Sequence, residues 1–286
     1  MRALRQASRP RPASHCERRT IGAVVPLLAV AVWWSGGCKR KPEPKPVPVS
    51  GAAAIPIDAT AVVRVEPSAL AESALVRRAA QLLLARDPEL DARWQRLSTA
   101  CAIDPVRDFA EVYVALGPWP DAAPPAPAPS APPRQRALLV IRGSLAEATL
   151  ATCLAATVGN GAGGVVAKRQ GGRNIYSVTD NGRTVSWAFG QPDTVLVSAN
   201  SEWLMTALDP KSSKLSANPA MTELFAKVDR NAPLWAVGQT AGQIGASLVA
   251  ASGGALSQGP RALYVSLDPR AGMALSFGAQ MASEAD

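Results

Sequence analysis

Histidine is almost absent from this chain: its 286 residues include only His15. That residue lies in the basic N-terminal segment, so the rest of the chain cannot form a Ser-His-Asp or Cys-His relay. It cannot form a histidine metal site either. Catalysis there would have to use carboxylate pairs, Ser-Lys pairs or tyrosine bases. No residue pattern singles out a catalytic, cofactor-binding or metal-binding site.

Excess positive charge is missing from most of the chain, although the formal net charge is +8. Residues 1–45 hold ten of the 30 Lys and Arg and two of the 22 Asp and Glu, and so carry the whole excess. The remaining residues are neutral as a group, so we expect no nucleic-acid partner. Hydrophobic residues make up 48% of the chain, which is enough for a folded core.

Long hydrophobic runs are also scarce. One apolar run covers residues 21–34, between a basic N-terminal segment and the small residues 35–37. A helix of that length spans about 21 Å, whereas the hydrocarbon core of a bilayer is about 30 Å thick. A basic start, a short apolar middle and a small-residue end predict a secretory signal peptide over residues 1–37.

The end of this segment, Ser35-Gly36-Gly37-Cys38, resembles the lipobox of bacterial lipoproteins, with Ser35 where that class usually has an aliphatic residue. The resemblance implies cleavage before Cys38 by signal peptidase II and acyl chains on Cys38 that anchor the protein in a membrane. Lys39 follows, where the class uses Asp to retain proteins in the inner membrane. The resemblance therefore implies the cell envelope, with the periplasmic face of an outer membrane favoured over the inner membrane.

Two other interpretations of the leader stay open: an uncleaved signal anchor, and an ordinary cleaved signal with release of the protein. The first would make the protein an accessory subunit of the inner membrane. The basic residues that follow the apolar run disfavour such an anchor, because positive charge is seldom left on the outer side.

The composition divides the rest of the chain. Residues 38–56 alternate proline with basic and small residues, which predicts an extended tether behind the lipidated cysteine. Residues 57–286 are expected to form the globular domain. Within it, a Pro- and Ala-rich stretch at 118–135 predicts a disordered loop.

The domain alternates helical and strand patterns. We predict an α+β fold: a mainly antiparallel sheet with helices packed on one face. The order β-α-β-β occurs twice, and residues 175–190 resemble residues 263–278 at a constant offset. A duplicated unit and a chance similarity of two hairpins both account for this. The predicted strands are 61–65, 112–116, 137–141, 175–179, 185–189, 194–198, 234–237, 262–267 and 273–277; the predicted helices are 68–84, 88–101, 144–158, 202–208, 219–228 and 241–251.

Only two cysteines remain once Cys16 is removed with the signal and Cys38 is lipidated. In an oxidising compartment, Cys101 and Cys153 allow one pairing, which would close a loop of about fifty residues. The alternative is that each is buried separately as a small apolar residue.

The other candidate groups favour structural roles. The glycine-rich run 159–164 follows a helix and precedes extended sequence, which reverses the context of a dinucleotide-binding loop. The acidic residues at positions 89, 91 and 104 are expected at the starts of helices, where a carboxylate interacts favourably with the helix dipole. Trp187 and Trp235 lie in apolar strands and are expected in the core, which leaves Trp119 as the best exposed tryptophan.

The sequence therefore predicts a lipid-anchored envelope protein without catalytic function. We expect it to bind or scaffold an envelope protein or a cell-wall partner. An envelope enzyme that uses carboxylate or Ser-Lys chemistry is the alternative, and a cleft with converging charged groups would favour it.

Overall fold

The computed structural model describes residues 45–118, 136–158, 164–180, 183–240, 243–253 and 256–281. The chain divides into two units, up to Pro42 and from Glu43 onward, and the description concerns the second. The predicted signal peptide, Cys16, Cys38, Trp119, most of the Pro- and Ala-rich loop and most of the glycine-rich run lie outside the described residues.

The described residues form eight α-helices and ten β-strands, together with 3-10 turns at Gly51–Ala54 and Leu215–Ala217. In chain order these are β1 (Ala61–Val65), α1 (Pro67–Ala71), α2 (Ala74–Arg86), α3 (Pro88–Cys101), α4 (Pro105–Asp108), β2 (Phe109–Leu116), β3 (Ala137–Gly143), α5 (Glu147–Val158), β4 (Val166–Gln170), β5 (Arg173–Asp180), β6 (Arg183–Gln191), β7 (Thr194–Ser198), α6 (Ser201–Leu208), α7 (Pro219–Lys227), β8 (Leu234–Gln239), α8 (Gln243–Ala251), β9 (Ala262–Asp268) and β10 (Ala274–Gln280).

The strands form one sheet in the order β10-β9-β8-β1-β2-β3-β7-β6-β5-β4, and every neighbouring pair is antiparallel. The predicted α+β class and the antiparallel sheet are confirmed. Strand β4 is absent from the predicted strands, although extended sequence was expected after the glycine-rich run 159–164. It is an edge strand, and all five of its residues are exposed, which is why no apolar alternation marked it.

Helices lie on both faces of the sheet, whereas the sequence predicted helices on one face. Strand β3 shows this by alternation: Leu138 and Val140 belong to one apolar cluster, and Leu139 and Ile141 to another. Successive side chains of a strand point to opposite faces. The first cluster contains buried residues of α6 and α7, and the second contains Leu150 and Leu154 of α5. A near-continuous apolar strand such as β3 is the sequence pattern of burial on both faces.

Side-chain caps set several helix boundaries. Asn200 accepts a hydrogen bond from the backbone N–H of Trp203 at 2.8 Å, and Asn218 accepts one from Met221 at 3.2 Å. The predicted helix 68–84 is two helices, because Ser73 adopts an extended backbone and caps α2 through the N–H of Val76.

The folded domain begins before Ile57, so the predicted tether boundary at residue 56 is wrong. Ala54 and Ile55 have no exposed surface, and the N–H of Val49 donates to the carbonyl of Gly190 at 3.2 Å. A Cβ on Gly190 would lie 2.2 Å from the Val49 carbonyl oxygen, so only glycine allows this approach. The frequent prolines suggested a spacer, but the apolar side chains between them fill the core.

The two similar hairpins occupy different positions in the sheet. In the pair β5–β6 the second strand lies nearer the centre, whereas in the pair β9–β10 the first strand does. Strand β4 also lies between α5 and β5, so the order is β-α-β-β-β in the first unit and β-α-β-β in the second, and the two hairpins are not equivalent in topology. No helix within the described ranges is long and apolar enough to span a membrane.

Candidate binding surface on the sheet

One face of the sheet carries rows of apolar side chains that run across it from strand to strand. The register places Leu275 opposite Leu267, then Leu234, Val65 and Val112. The row continues through Ile141 to Val195. A parallel row runs through Phe277, Val265, Ala236, Val63, Val114, Leu139 and Val197.

Helix α5 covers one end of these rows. Ile141 and Val195 are buried there, together with Trp187 and Phe189 of β6, against Leu150 and Leu154 of α5 and Leu145 just before it. We call this part the covered half.

The other end of the rows, on β1, β8, β9 and β10, is not buried. The apolar residues of β1, β8 and β9 on this face are half-buried. At the edge, Leu275 is 67% exposed and Phe277 is 66% exposed. We call this part the open half; it consists of Val63, Val65, Leu234, Ala236, Leu263, Val265, Leu267, Leu275 and Phe277.

Helix α7 contacts β8 and β9 but packs on the opposite face. Its Phe225 meets the ring of Trp235 edge-on at 5.6 Å, and Trp235 belongs to the apolar cluster of that face. Helix α7 therefore supports β8 and β9 of the open half from the opposite face of the sheet. A contiguous apolar patch that reaches an exposed edge is typical of a contact site for another molecule.

A disulfide and a carboxylate fasten the helices of the covered half. Cys101 at the end of α3 is bonded to Cys153 of α5, with their Cα atoms 5.2 Å apart. Glu147, at the start of α5, accepts hydrogen bonds from Asn174 at 3.0 Å and from the Tyr176 hydroxyl at 2.9 Å. Burial and the Glu147 carboxylate raise the pKa of Tyr176, so this hydroxyl remains a donor at neutral pH.

A group of three charged side chains, Arg64, Glu111 and Arg142, lies on the opposite face of the sheet and is joined by ion pairs. Glu111 of β2 accepts from Arg64 of β1 at 2.7 Å and from Arg142 of β3 at 3.0 Å. Burial lowers the pKa of Arg64, but its bonds to Glu111 outweigh this and leave that pKa above the usual value. Burial raises the pKa of Tyr113 beside them. The group ties three strands together and has the character of a structural ion cluster.

A polar groove lies where β5 and β6 meet the start of α5. It is lined by Glu147, Arg173 and Asn174 among others, and these side chains bond to the protein itself. Arg173 donates to the carbonyls of Val47, Phe189 and Gly190, and burial lowers its pKa. Through these bonds, Arg173 attaches the segment around Val47 to the sheet.

The remaining predicted residues have the structural roles expected of them. Trp187 and Trp235 are 2% and 3% exposed and lie in the core. Glu89 and Asp91 lie in the first turn of α3, and Asp104 caps α4 through the N–H of Val106 at 3.0 Å. Within the described part of the chain, no group of three or more His, Cys, Asp or Glu side chains could hold a metal ion.

Sequence reasoning did not identify the open half. Its strands were assigned correctly, and their alternate residues were seen to be apolar. What went unrecognised is that both faces of β8 and β9 carry apolar residues while helix α7 packs on only one of them. The signal was there in Met273, Leu275 and Phe277, which alternate in a strand that ends the chain's last hairpin.

Comparisons with known proteins provide no functional assignment. No protein-family model matches the chain, and no curated protein matches it. Among solved structures, the chain is similar to TP0453 in its crystal form I, with a TM-score of 0.45 and 12% sequence identity over 82% of this chain and 80% of that chain. No argument about function rests on a similarity of this extent.

Proposed function

We propose that this protein is a lipid-anchored binding module of the cell envelope. The lipidated group is Cys38, and the binding surface is the open half of the sheet. The observation that carries the binding role is the pair of apolar rows that continue past the covered half to the exposed edge strand. The partner is another envelope protein that lays an apolar surface over these strands.

The shape of the open half supports a protein partner. A sheet face with side chains of similar size is broad and shallow, whereas small-molecule sites are concave and enclose most of their ligand. Protein interfaces have an apolar centre from which charged residues are largely missing. The open half fits this description, because its rows contain no charged residue from β1 to β10.

The paired charges support a non-catalytic role. Glu111 lies between two arginines, Glu147 accepts two hydrogen bonds, and Arg173 is bound to three carbonyls. A catalytic acid or base needs a position from which it can reach a substrate. These groups instead form hydrogen bonds and ion pairs within the protein itself.

The proposed lipid anchor at Cys38 is tested with the full-length protein in its native cells. The wild-type protein is expected to begin at Cys38 and to carry added acyl mass, as measured on the intact protein. Cys38→Ser is expected to leave the membrane fraction. A Cys16→Ser variant is the matched control, since that residue precedes the cleavage site and is expected to have no effect. Lipid anchoring at Cys38 is contradicted if the protein retains Met1. It is also contradicted if the Cys38→Ser variant stays in membranes as well as the wild type does.

The binding role is tested by site-specific photo-cross-linking in the same cells. A photoreactive residue at Val265 is expected to give a discrete adduct with an envelope protein. The matched control is Ala226, which is exposed on α7 on the opposite face. A second substitution, Leu267→Glu, is expected to reduce the adduct at Val265, because a carboxylate would be buried in an apolar contact. Equal adduct yields at both positions contradict the proposal.

A further inference from the structure

The two edges of the sheet differ in how they face solvent. Strand β4 carries Lys168 and Arg169, and charged side chains on an edge strand oppose pairing with another strand. Strand β10, Ala274–Gln280, contains no charged residue and no proline. No described strand pairs with its outer side. One edge is therefore protected by charge, and the other has the composition of a strand that pairs.

The side chains of β10 point to the same conclusion. Leu275 and Phe277 are the outermost members of the two apolar rows, and both are about two-thirds exposed. In a row of this kind each side chain is covered laterally by the next strand. At β10 the rows end in solvent, so one further strand would cover both side chains.

Strand β10 is complementary to itself. If two copies pair in antiparallel fashion about Phe277, Leu275 lies opposite Ala279 and Ser276 lies opposite Gly278. No charged residue meets a like charge along the pair. Near the ends, Asp268 pairs with Arg270 at 2.6 Å and Glu223 pairs with Lys227 at 2.9 Å within each copy. Arg261, whose backbone N–H donates to the carbonyl of Gln280, is exposed beside one end. The paired strands themselves bring no charged residues together, and two-fold symmetry is the commonest form of association between identical chains.

We propose that the protein forms a two-fold symmetric dimer in which the β10 strands of two copies pair in antiparallel fashion. The dimer joins two ten-stranded antiparallel sheets into one and brings their open halves side by side. The inference goes beyond the proposed function, because this pairing covers Leu275 and Phe277 only from the side and leaves the face of the open half accessible to a partner protein. It does not depend on the lipid anchor.

The register is tested by cysteine cross-linking of the full-length protein in its native cells. Phe277→Cys places two thiols opposite each other at the two-fold axis and is expected to give a disulfide-linked dimer that a reductant dissolves. Val166→Cys on β4 is the matched control, since Val166 is 63% exposed and Phe277 is 66% exposed. It is expected to remain monomeric. Equal cross-linking of both variants, or none in either, overturns the proposal.

The stability of the dimer is tested by sedimentation of the purified full-length protein in detergent over a range of concentrations. The wild type is expected to dimerise, and Phe277→Lys to raise the dissociation constant at least tenfold, because two ammonium groups would meet at the axis. The thermal midpoint of the monomer is expected to be unchanged, which separates loss of pairing from loss of folding. A wild type that sediments as a monomer throughout contradicts the proposal. If the wild type dimerises but the Cys38→Ser variant stays in membranes, this inference holds and the proposed lipid anchor at Cys38 is contradicted.

Discussion

The covered and open halves belong to the same face of one sheet and are built from similar residues. Phe189 in the covered half is 6% exposed, whereas Phe277 in the open half is 66% exposed. The apolar rows continue through both halves from β3 to β10, with one register shift, between Phe109 and Glu111 of β2. The difference lies in the helices above. Apolar alternation in a strand therefore shows that a surface will be covered, but not whether the chain itself or another molecule covers it.

The largest expected effect compares one phenylalanine in each half. Phe189→Ala is expected to lower the free energy of unfolding by about 3–5 kcal/mol, because it removes a buried ring and leaves a cavity. Phe277→Ala is expected to change that of the monomer, measured at low protein concentration, by no more than about 0.5 kcal/mol. Chemical denaturation of both variants measures the difference. Similar losses in the two variants contradict the distinction between the halves.

The next effect concerns the attachment of the helices to the covered half. The Cys101–Cys153 disulfide joins residues 52 positions apart, and its loss is expected to cost about 2–4 kcal/mol. The double variant Cys101→Ser, Cys153→Ser is measured by denaturation and by amide hydrogen exchange. Exchange is expected to rise in α3 and α5 and to stay unchanged in β8 to β10. Thiol counting on denatured, unreduced wild type is expected to find neither cysteine free, and two free thiols would contradict the bond.

A smaller effect is expected from the ion cluster that joins β1, β2 and β3 on the opposite face. Glu111→Gln removes the carboxylate between Arg64 and Arg142 and is expected to cost about 1–3 kcal/mol. The matched control is Glu72→Gln, since Glu72 is exposed between α1 and α2. Its expected change is no more than about 0.5 kcal/mol. Equal losses would mean that the cluster contributes nothing specific.

The smallest effect is a titration at the turn of the open half. The Arg270 guanidinium and backbone N–H lower the pKa of Asp268 to about 2. A carboxyl whose pKa is lower in the folded state stabilises the fold above its unfolded pKa, and this contribution is lost as the pH falls through about 2. Arg270→Gln is expected to return the pKa of Asp268 toward its usual value, as followed by NMR of the side-chain carboxyl. A value that does not move contradicts the pairing.

Much of the fold could be predicted from local patterns. The hairpins, the caps at Asn218 and Asp104, and the burial of Trp187 and Trp235 follow from neighbouring residues and alternation. Strand β4 was not predicted because its five residues are exposed and show no apolar alternation, although its pairing with β5 is local. The tether boundary was wrong because the deciding contact is distant in sequence. Val49 lies among prolines that are typical of a spacer, and its contact with the distant Gly190 makes it part of the folded domain.

The candidate surface was harder to foresee than the fold. Leu263, Val265 and Leu267 have the alternation of any half-buried strand, so this pattern alone does not distinguish a covered row from an uncovered one. The cysteine pair illustrates the same limit. Elimination of the other cysteines left one pairing, but whether Cys101 and Cys153 meet depends on α3 packing against α5.

By itself, the sequence determined the features that depend on composition and neighbouring residues. These are the scarcity of histidine, the neutral charge after residue 45, the alternating strands and the capped helices. Only the tertiary structure decided which helices cover which strands and which edge strand is left without charge. Local propensities act over a few residues, whereas coverage of a sheet face depends on the path of the chain between elements that lie far apart in sequence.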